Sequence, residues 1–222
     1  MMGRAIAAVL ALCAGTAFAH EIATPKADFV SPAPGSYRLE KIMAAPDGVV
    51  LNTDAKPRRL SGYTRGKVTV LSLMYTHCSD EKGCPMAFYA LQMIQRDLEK
   101  ERSARDRVQL VSLSFDPKHD TPEAMRAYGG ELVGAKSAVP WHFLTTTGGQ
   151  ALRPILSGFG QDVSRPAKAA EDDTGDMSHV LKVFLIDRAG FVREIYSASF
   201  LMPQVVMNDI KTLLIEDGVR VD

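Results

Sequence analysis

Residues 67–75 read KVTVLSLMY and run directly into THCSDEKGCP at 76–85. An unbroken apolar and β-branched run of that length predicts a strand buried on both faces, the kind found inside parallel sheets. Cys78 therefore follows the end of a central strand, and Cys84-Pro85 stands where the next helix begins. Sites in open α/β sheets lie at the carboxyl ends of strands, so this loop sits where chemistry is expected.

Outward from that stretch the chain alternates. Residues 85–101 carry Met86, Tyr89, Ala90, Met93, Ile94 and Leu98 close to helical spacing. Residues 108–115 (VQLVSLSF) predict the next strand, and 121–132 a helix, opened by a Thr cap with proline at the first helical position. A short strand at 142–145 and a helix at 149–159 follow. After a polar stretch at 161–177, residues 180–186 and 191–196 predict a hairpin, and 204–216 a closing helix behind Pro203. On the amino-terminal side, 37–43 and 49–51 predict short strands, the second after the turn signal Pro46-Asp47-Gly48. This order gives an α/β fold with the thioredoxin-like layout: a central mixed sheet flanked by helices, with an N-terminal β-hairpin extension.

At 222 residues, 46% hydrophobic and 23% charged, the chain suits one well-packed domain, assigned to 37–218. Lys+Arg and Asp+Glu are both 26 and interleaved, so no overall field gathers nucleic acid, and none is expected as a partner. Arg4, the apolar run after it and the triplet Ala17-Phe18-Ala19 read as a secretory signal peptide at 1–19, cleaved before His20. The run is too short to span a bilayer, and Leu12 before Cys13 does not suit lipoprotein processing. Residues 20–36 read as a flexible leader. The expectation is a periplasmic monomer with no transmembrane segment after cleavage.

Export leaves the mature chain with Cys78 and Cys84, which allow one bridge, one redox couple or two ligands of one metal. Two residues six apart on a helix project about 120° apart, so the thiols cannot share a helix face. Cys78 must sit in the loop, with residues 79–83 folding back through the turn chemistry of Asp80 and Gly83. Cys84, at the helix N-terminus, faces unpaired N–H groups and the positive end of the dipole, which are expected to favour its thiolate. His119 and His142 read as ordinary loop and strand residues, and His77 as a neighbour of the site rather than a ligand. Met86 and Met93 have core spacing, while Met177 remains a candidate weak thioether ligand.

Four segments, in order, resemble the Sco/SenC family. They are Thr76-His77-Cys78 with Cys84-Pro85, Asp116-Pro117-Lys118-His119-Asp120-Thr121-Pro122, Trp141-His142-Phe143-Leu144-Thr145, and Ser178-His179 ahead of VLKVFLIDRAG. The likeness runs over about 60–214. The family has three residues between its cysteines where this chain has five, and its His commonly follows an Asp directly, whereas here Asp176-Met177-Ser178-His179 is the order. The resemblance implies copper as the metal, with Cys78, Cys84 and His179 as ligands. It also implies a metallochaperone whose partners are a thiol reductant and a recipient cuproprotein such as a cytochrome oxidase subunit. Soft thiolates select Cu(I), and an imidazole suits Cu(II) as well; zinc accepts the same donor set. A different class of function stays open: thiol–disulfide oxidoreductase, with Cys78 and Cys84 as the catalytic redox couple and no need for His179.

Overall fold

The computed structural model describes residues 24–25, 28–164 and 177–221. The expected signal peptide and the acidic triplet Glu171-Asp172-Asp173 lie outside the described residues. No helix among the described residues is long and apolar enough to cross a membrane.

The decisive stretch forms β4 (Val68–Met74), and VQLVSLS forms β5 (Val108–Ser114); every residue of both strands is buried. Burial on both faces requires covering layers on both sides, which is why neither strand shows the alternation of a half-exposed one. β4 pairs in parallel with β5, and β5 in parallel with β6 (Trp141–Thr145). On the other side of β4 lies antiparallel β9 (Val183–Ile186), which forms the expected hairpin with β10 (Phe191–Tyr196). Two side-chain hydrogen bonds cross this centre: Gln109 Nε2 donates to Thr69 Oγ1 at 3.1 Å, and Trp141 Nε1 to Ser112 Oγ at 3.0 Å.

The amino-terminal strands depart from expectation. Of 37–43 only the end enters the sheet, as β1 (Met43–Ala44), which pairs with β10 at one edge. The hairpin of this region is instead β2 (Val49–Asn52) with β3 (Pro57–Arg59), and β2 pairs with β6 at the opposite edge. The result is an eight-stranded mixed sheet in the order β1-β10-β9-β4-β5-β6-β2-β3.

A short α1 (Ser61–Thr64) precedes β4. α2 (Cys84–Lys100) begins at the second cysteine, with Pro85 in its first turn, where the missing N–H costs nothing. Its buried face, including Ala87, Leu91, Ile94 and Leu98, supplies the apolar stripe read from the sequence. α3 (Pro122–Gly129) is capped by Thr121, whose hydroxyl accepts from the Ala124 N–H at 3.3 Å. α4 (Gly149–Gly158) and α5 (Pro203–Glu216) complete the layers. The described part of the leader is held on α5. Asn208 donates to Ser31 Oγ and to the Pro32 carbonyl, both at 3.0 Å, and the Gly35 N–H donates to Thr212 Oγ1 at 3.0 Å. Tyr37 then donates to Asp209, which also accepts from the buried Tyr196 hydroxyl at 2.7 Å.

Candidate metal centre

β4 ends at Met74, so the chain leaves the sheet through Tyr75, Thr76 and His77 to reach Cys78. The five residues between the cysteines close on Asp80. Its side chain accepts from the Lys82 N–H at 3.0 Å, and its carbonyl accepts from the Gly83 N–H at 2.8 Å. Gly83 is the pinch point, because a Cβ there would lie 3.3 Å from Cys78 Sγ and 3.1 Å from the Asp80 carbonyl. The extra length is thus absorbed by a compact turn that returns Cys78 to Cys84. Both cysteines are free thiols, Cys84 buried and Cys78 half-buried.

The imidazole comes from the far side of the polar stretch. A two-stranded ribbon of β7 (Val163–Ser164) and β8 (Ser178–His179) pairs His179 with Val163. Residues 178–179 join this ribbon, so β9 begins only at Val183 rather than at 180. His179 Nε2 lies 3.8 Å from Cys84 Sγ. The ligand atoms of Cys78, Cys84 and His179 all lie within 4.8 Å of one another. A sulfur at ~2.3 Å and a nitrogen at ~2.0 Å from one ion stand about 3.5–3.7 Å apart at tetrahedral to trigonal angles. The 3.8 Å between His179 Nε2 and Cys84 Sγ is close to the trigonal end of that range.

His179 Nδ1 faces the Met177 carbonyl at 3.0 Å. A carbonyl only accepts, so Nδ1 carries the hydrogen and Nε2 turns its lone pair toward the sulfurs. A neighbour fixing the tautomer of a ligating histidine is a recurring feature of metal sites. Here a backbone carbonyl does what the absent preceding Asp would have done. The ring is also walled by Phe115, at 5.0 Å between centroids, and by Tyr75, edge-on at 5.6 Å. Met177 itself is buried, and its N–H donates to the Tyr75 hydroxyl at 3.2 Å.

The electrostatics reverse one expectation. A hydrogen bond from Cys84 holds the Cys78 thiol well below its ordinary range; burial opposes this, and backbone N–H groups and the Tyr75 hydroxyl reinforce it. Cys84 is pushed up by the same shared hydrogen and by its burial. Cys78, not Cys84, is therefore the favoured thiolate. The helix N-terminus does favour an anion, but desolvation of a residue only 2% exposed outweighs it, and the charge settles on the more accessible partner.

The other histidines separate as follows. His142 lies in β6 against Tyr63, 4.9 Å between ring centroids, and burial lowers its pKa. His77 and His119 stand together outside the three-residue cluster, their ring centroids 6.1 Å apart. Sequence reasoning missed Tyr75, Phe115 and the Met177 carbonyl, which hold His179. The two aromatics look like ordinary strand ends, and a main-chain acceptor leaves no residue-type signal.

Comparison with known proteins agrees with this architecture. Similar solved structures include a SCO1/SenC family lipoprotein from Bacillus anthracis, 26% identical over 83% of this chain and 99% of that chain, with a TM-score of 0.61. Bradyrhizobium japonicum ScoI with copper bound is 22% identical, covering 76% of this chain and 98% of that one, at TM-score 0.58. Arabidopsis thaliana ScoI with copper bound is 16% identical, covering 78% and 99%, at TM-score 0.63. No curated protein sequence matches the chain significantly. Residues 50–215, which carry the whole sheet from β2 onward together with both cysteines and His179, match the SCO1/SenC description, and the chain belongs to that family.

Proposed function

We propose that this protein carries copper, held by Cys78, Cys84 and His179, and delivers it outside the cytoplasm to a cuproprotein such as a terminal oxidase. The observation that carries the reading is the 3.8 Å approach of His179 Nε2 to Cys84 Sγ, with Nδ1 tied to the Met177 carbonyl. Two thiolates and one imidazole are a donor set that accepts both copper oxidation states. Three protein ligands with Cys78 half-buried leave one side of the ion open to an acceptor's ligands, so copper moves by stepwise ligand exchange without a change of oxidation state. Copper is cargo in this reading, not a resident catalyst. The copper-bound relatives and the apolar amino-terminal stretch support it.

Reduced protein reconstituted with Cu(II) is expected to show a thiolate-to-copper charge-transfer band that collapses in His179→Ala. An unchanged band in that variant rules out the imidazole as a ligand.

The pairing of a lowered thiol with a raised one also favours a second reading, thiol–disulfide exchange. Cys78 thiolate would attack a partner disulfide to form a mixed disulfide. Cys84 would then displace the partner as a dithiol, leaving this protein oxidised. Disulfide reductase activity that is indifferent to His179→Ala is the result expected of this alternative.

A further inference from the structure

The thiol pair has a flank that His179 does not wall. The imidazole approaches Cys84 from the β8 side, and its neighbours Phe115 and Met177 line a different hollow. Elsewhere the two sulfurs border a surface pocket of about 240 Å³, whose walls include Cys78 and Cys84 but not His179. Pro85, Phe88 and Tyr89 of α2 and Tyr128 of α3 supply most of the remaining lining.

This pocket is firm and poor in polar groups. The Phe88 ring packs on Tyr128 at 4.9 Å and on Trp141 at 5.1 Å between centroids, so that wall has little room to collapse. No acidic or basic side chain is among the described residues that line it. Thr76, also in the wall, donates its hydroxyl hydrogen to Asp120. The Tyr128 hydroxyl has no hydrogen-bond partner among the described residues, which leaves the wall one uncommitted donor.

Resting on the reading that this protein hands copper on, we propose that the pocket seats one aromatic or large aliphatic side chain of the recipient, borne next to the residue that takes the metal. Its volume of about 240 Å³ falls below the roughly 300–1,000 Å³ of sites that enclose a whole cofactor or drug-sized ligand, and suits a single bulky side chain. Because both sulfurs form the wall, the occupant touches the ligands of the metal. Consecutive Cα atoms are only about 3.8 Å apart, so the chain neighbour of a seated residue reaches an ion held by those sulfurs. The Tyr128 hydroxyl then donates to a main-chain carbonyl of the incoming segment. An apolar anchor filling a desolvated pocket is the kind of contact that concentrates binding energy at an interface. The recipient is thereby selected by apolar shape rather than by charge.

The test uses the Cu(I)-loaded chain and four synthetic peptides that share one two-cysteine core and differ only in the residue before the first cysteine: Phe, Leu, Gly or Asp. Copper transfer is followed by mass spectrometry. The Phe and Leu peptides are expected to take copper at least about tenfold faster than the Gly and Asp peptides. Gln92→Trp, which sets a bulky ring in the pocket wall, should erase that preference while leaving the charge-transfer band of the three-ligand site in place. Equal rates for the four peptides, or a preference that survives Gln92→Trp, overturn the proposal. Should Gln92→Trp misfold, the peptide series on the natural chain decides. The reduced, metal-free chain gives a reading that needs no copper: the NMR signals of the Phe88 and Tyr128 rings should shift on adding the Phe peptide and stay still with the Asp peptide. Rings indifferent to both peptides overturn the proposal, as do shifts that follow protein concentration alone and mark a second copy of this chain as the occupant. Failure of the peptide series leaves the His179→Ala charge-transfer test, and with it the copper-carrying reading, untouched.

Discussion

The Tyr75 hydroxyl accepts the main-chain hydrogen of Met177 at 3.2 Å, joining the end of β4 to the segment that carries His179. The same hydroxyl helps lower the Cys78 thiol. Tyr75 thereby couples the two halves of the candidate site, which lie on opposite sides of the polar stretch. Tyr75→Phe keeps the ring against His179 and Phe115 and removes only the oxygen. Copper affinity should fall about tenfold, the usual effect of losing a group that orients a ligand. Stability should fall by only about 1 kcal/mol. Chelator competition and thermal melting measured together check the split; loss of stability without loss of affinity would mean that Tyr75 only packs.

The unequal thiols make a pH prediction. Cys78 has a native pKa below its unfolded value, so between the two the native state binds fewer protons, and stability rises with pH across that window. It is lost as pH falls through the native value. Cys84 has the opposite sign: above the ~8.5 of an unfolded thiol it keeps a proton that the unfolded chain releases, so stability declines there. Alkylation of the reduced, metal-free protein near neutral pH should accordingly label Cys78 rapidly and Cys84 slowly. Loading a metal on both sulfurs near pH 7 should release close to one proton, chiefly from Cys84. Release near two protons, measured in weak buffer, would contradict the ionised state of Cys78.

The fold was more legible than the site. The run VTVLSLM announces a doubly buried strand because it is apolar and β-branched with no charged residue, and Cys84-Pro85 marks a helix start through backbone chemistry. The segment 37–43 was harder to read, because edge strands are set by which partner is free rather than by their own pattern; only Met43–Ala44 finds one. In the site, residue types located both sulfurs and the imidazole. Which sulfur holds the charge could not be read from spacing, since it depends on the relative burial of two atoms brought together only by the turn at Asp80 and Gly83. The meeting of His77 with His119 depends likewise on two loops joined through Asp120.

Asp120 offers a direct stability test. Its fully buried carboxylate accepts from the Thr76 N–H, Thr76 Oγ1 and Ser114 Oγ, the last of these also closed to water. Asp120→Ala leaves three donors without an acceptor, and each orphaned group costs on the order of 1–3 kcal/mol. A loss of at least about 3 kcal/mol is expected in urea unfolding, well beyond a surface substitution. Asp120→Asn keeps one acceptor oxygen and should recover part of that loss. Equal stability of the two variants would show that the carboxylate is not what ties β4 to β5.

Two glycines separate the architecture of the site from that of the core. At Gly83 an added Cβ meets the half-buried Cys78 Sγ at 3.3 Å and the carbonyl of the exposed Asp80 at 3.1 Å, both able to yield by a few tenths of an ångström. At Gly129 it meets Val133 Cγ2 at 2.5 Å and the Phe143 ring at 2.8 Å, where α3 packs on β6 and nothing can yield so cheaply. Gly129→Ala should therefore cost about 1–3 kcal/mol, the range for an overpacked interior, and leave copper affinity nearly unchanged. Gly83→Ala should do the reverse: a stability change within ~1 kcal/mol, but copper affinity reduced about tenfold as Cys78 is displaced from Cys84 and His179. Melting temperature and copper competition measured on both variants distinguish the cases. Parallel losses in both quantities for Gly83→Ala would mean that the turn at 79–83 supports the domain as a whole rather than the closure of Cys78 on its partners.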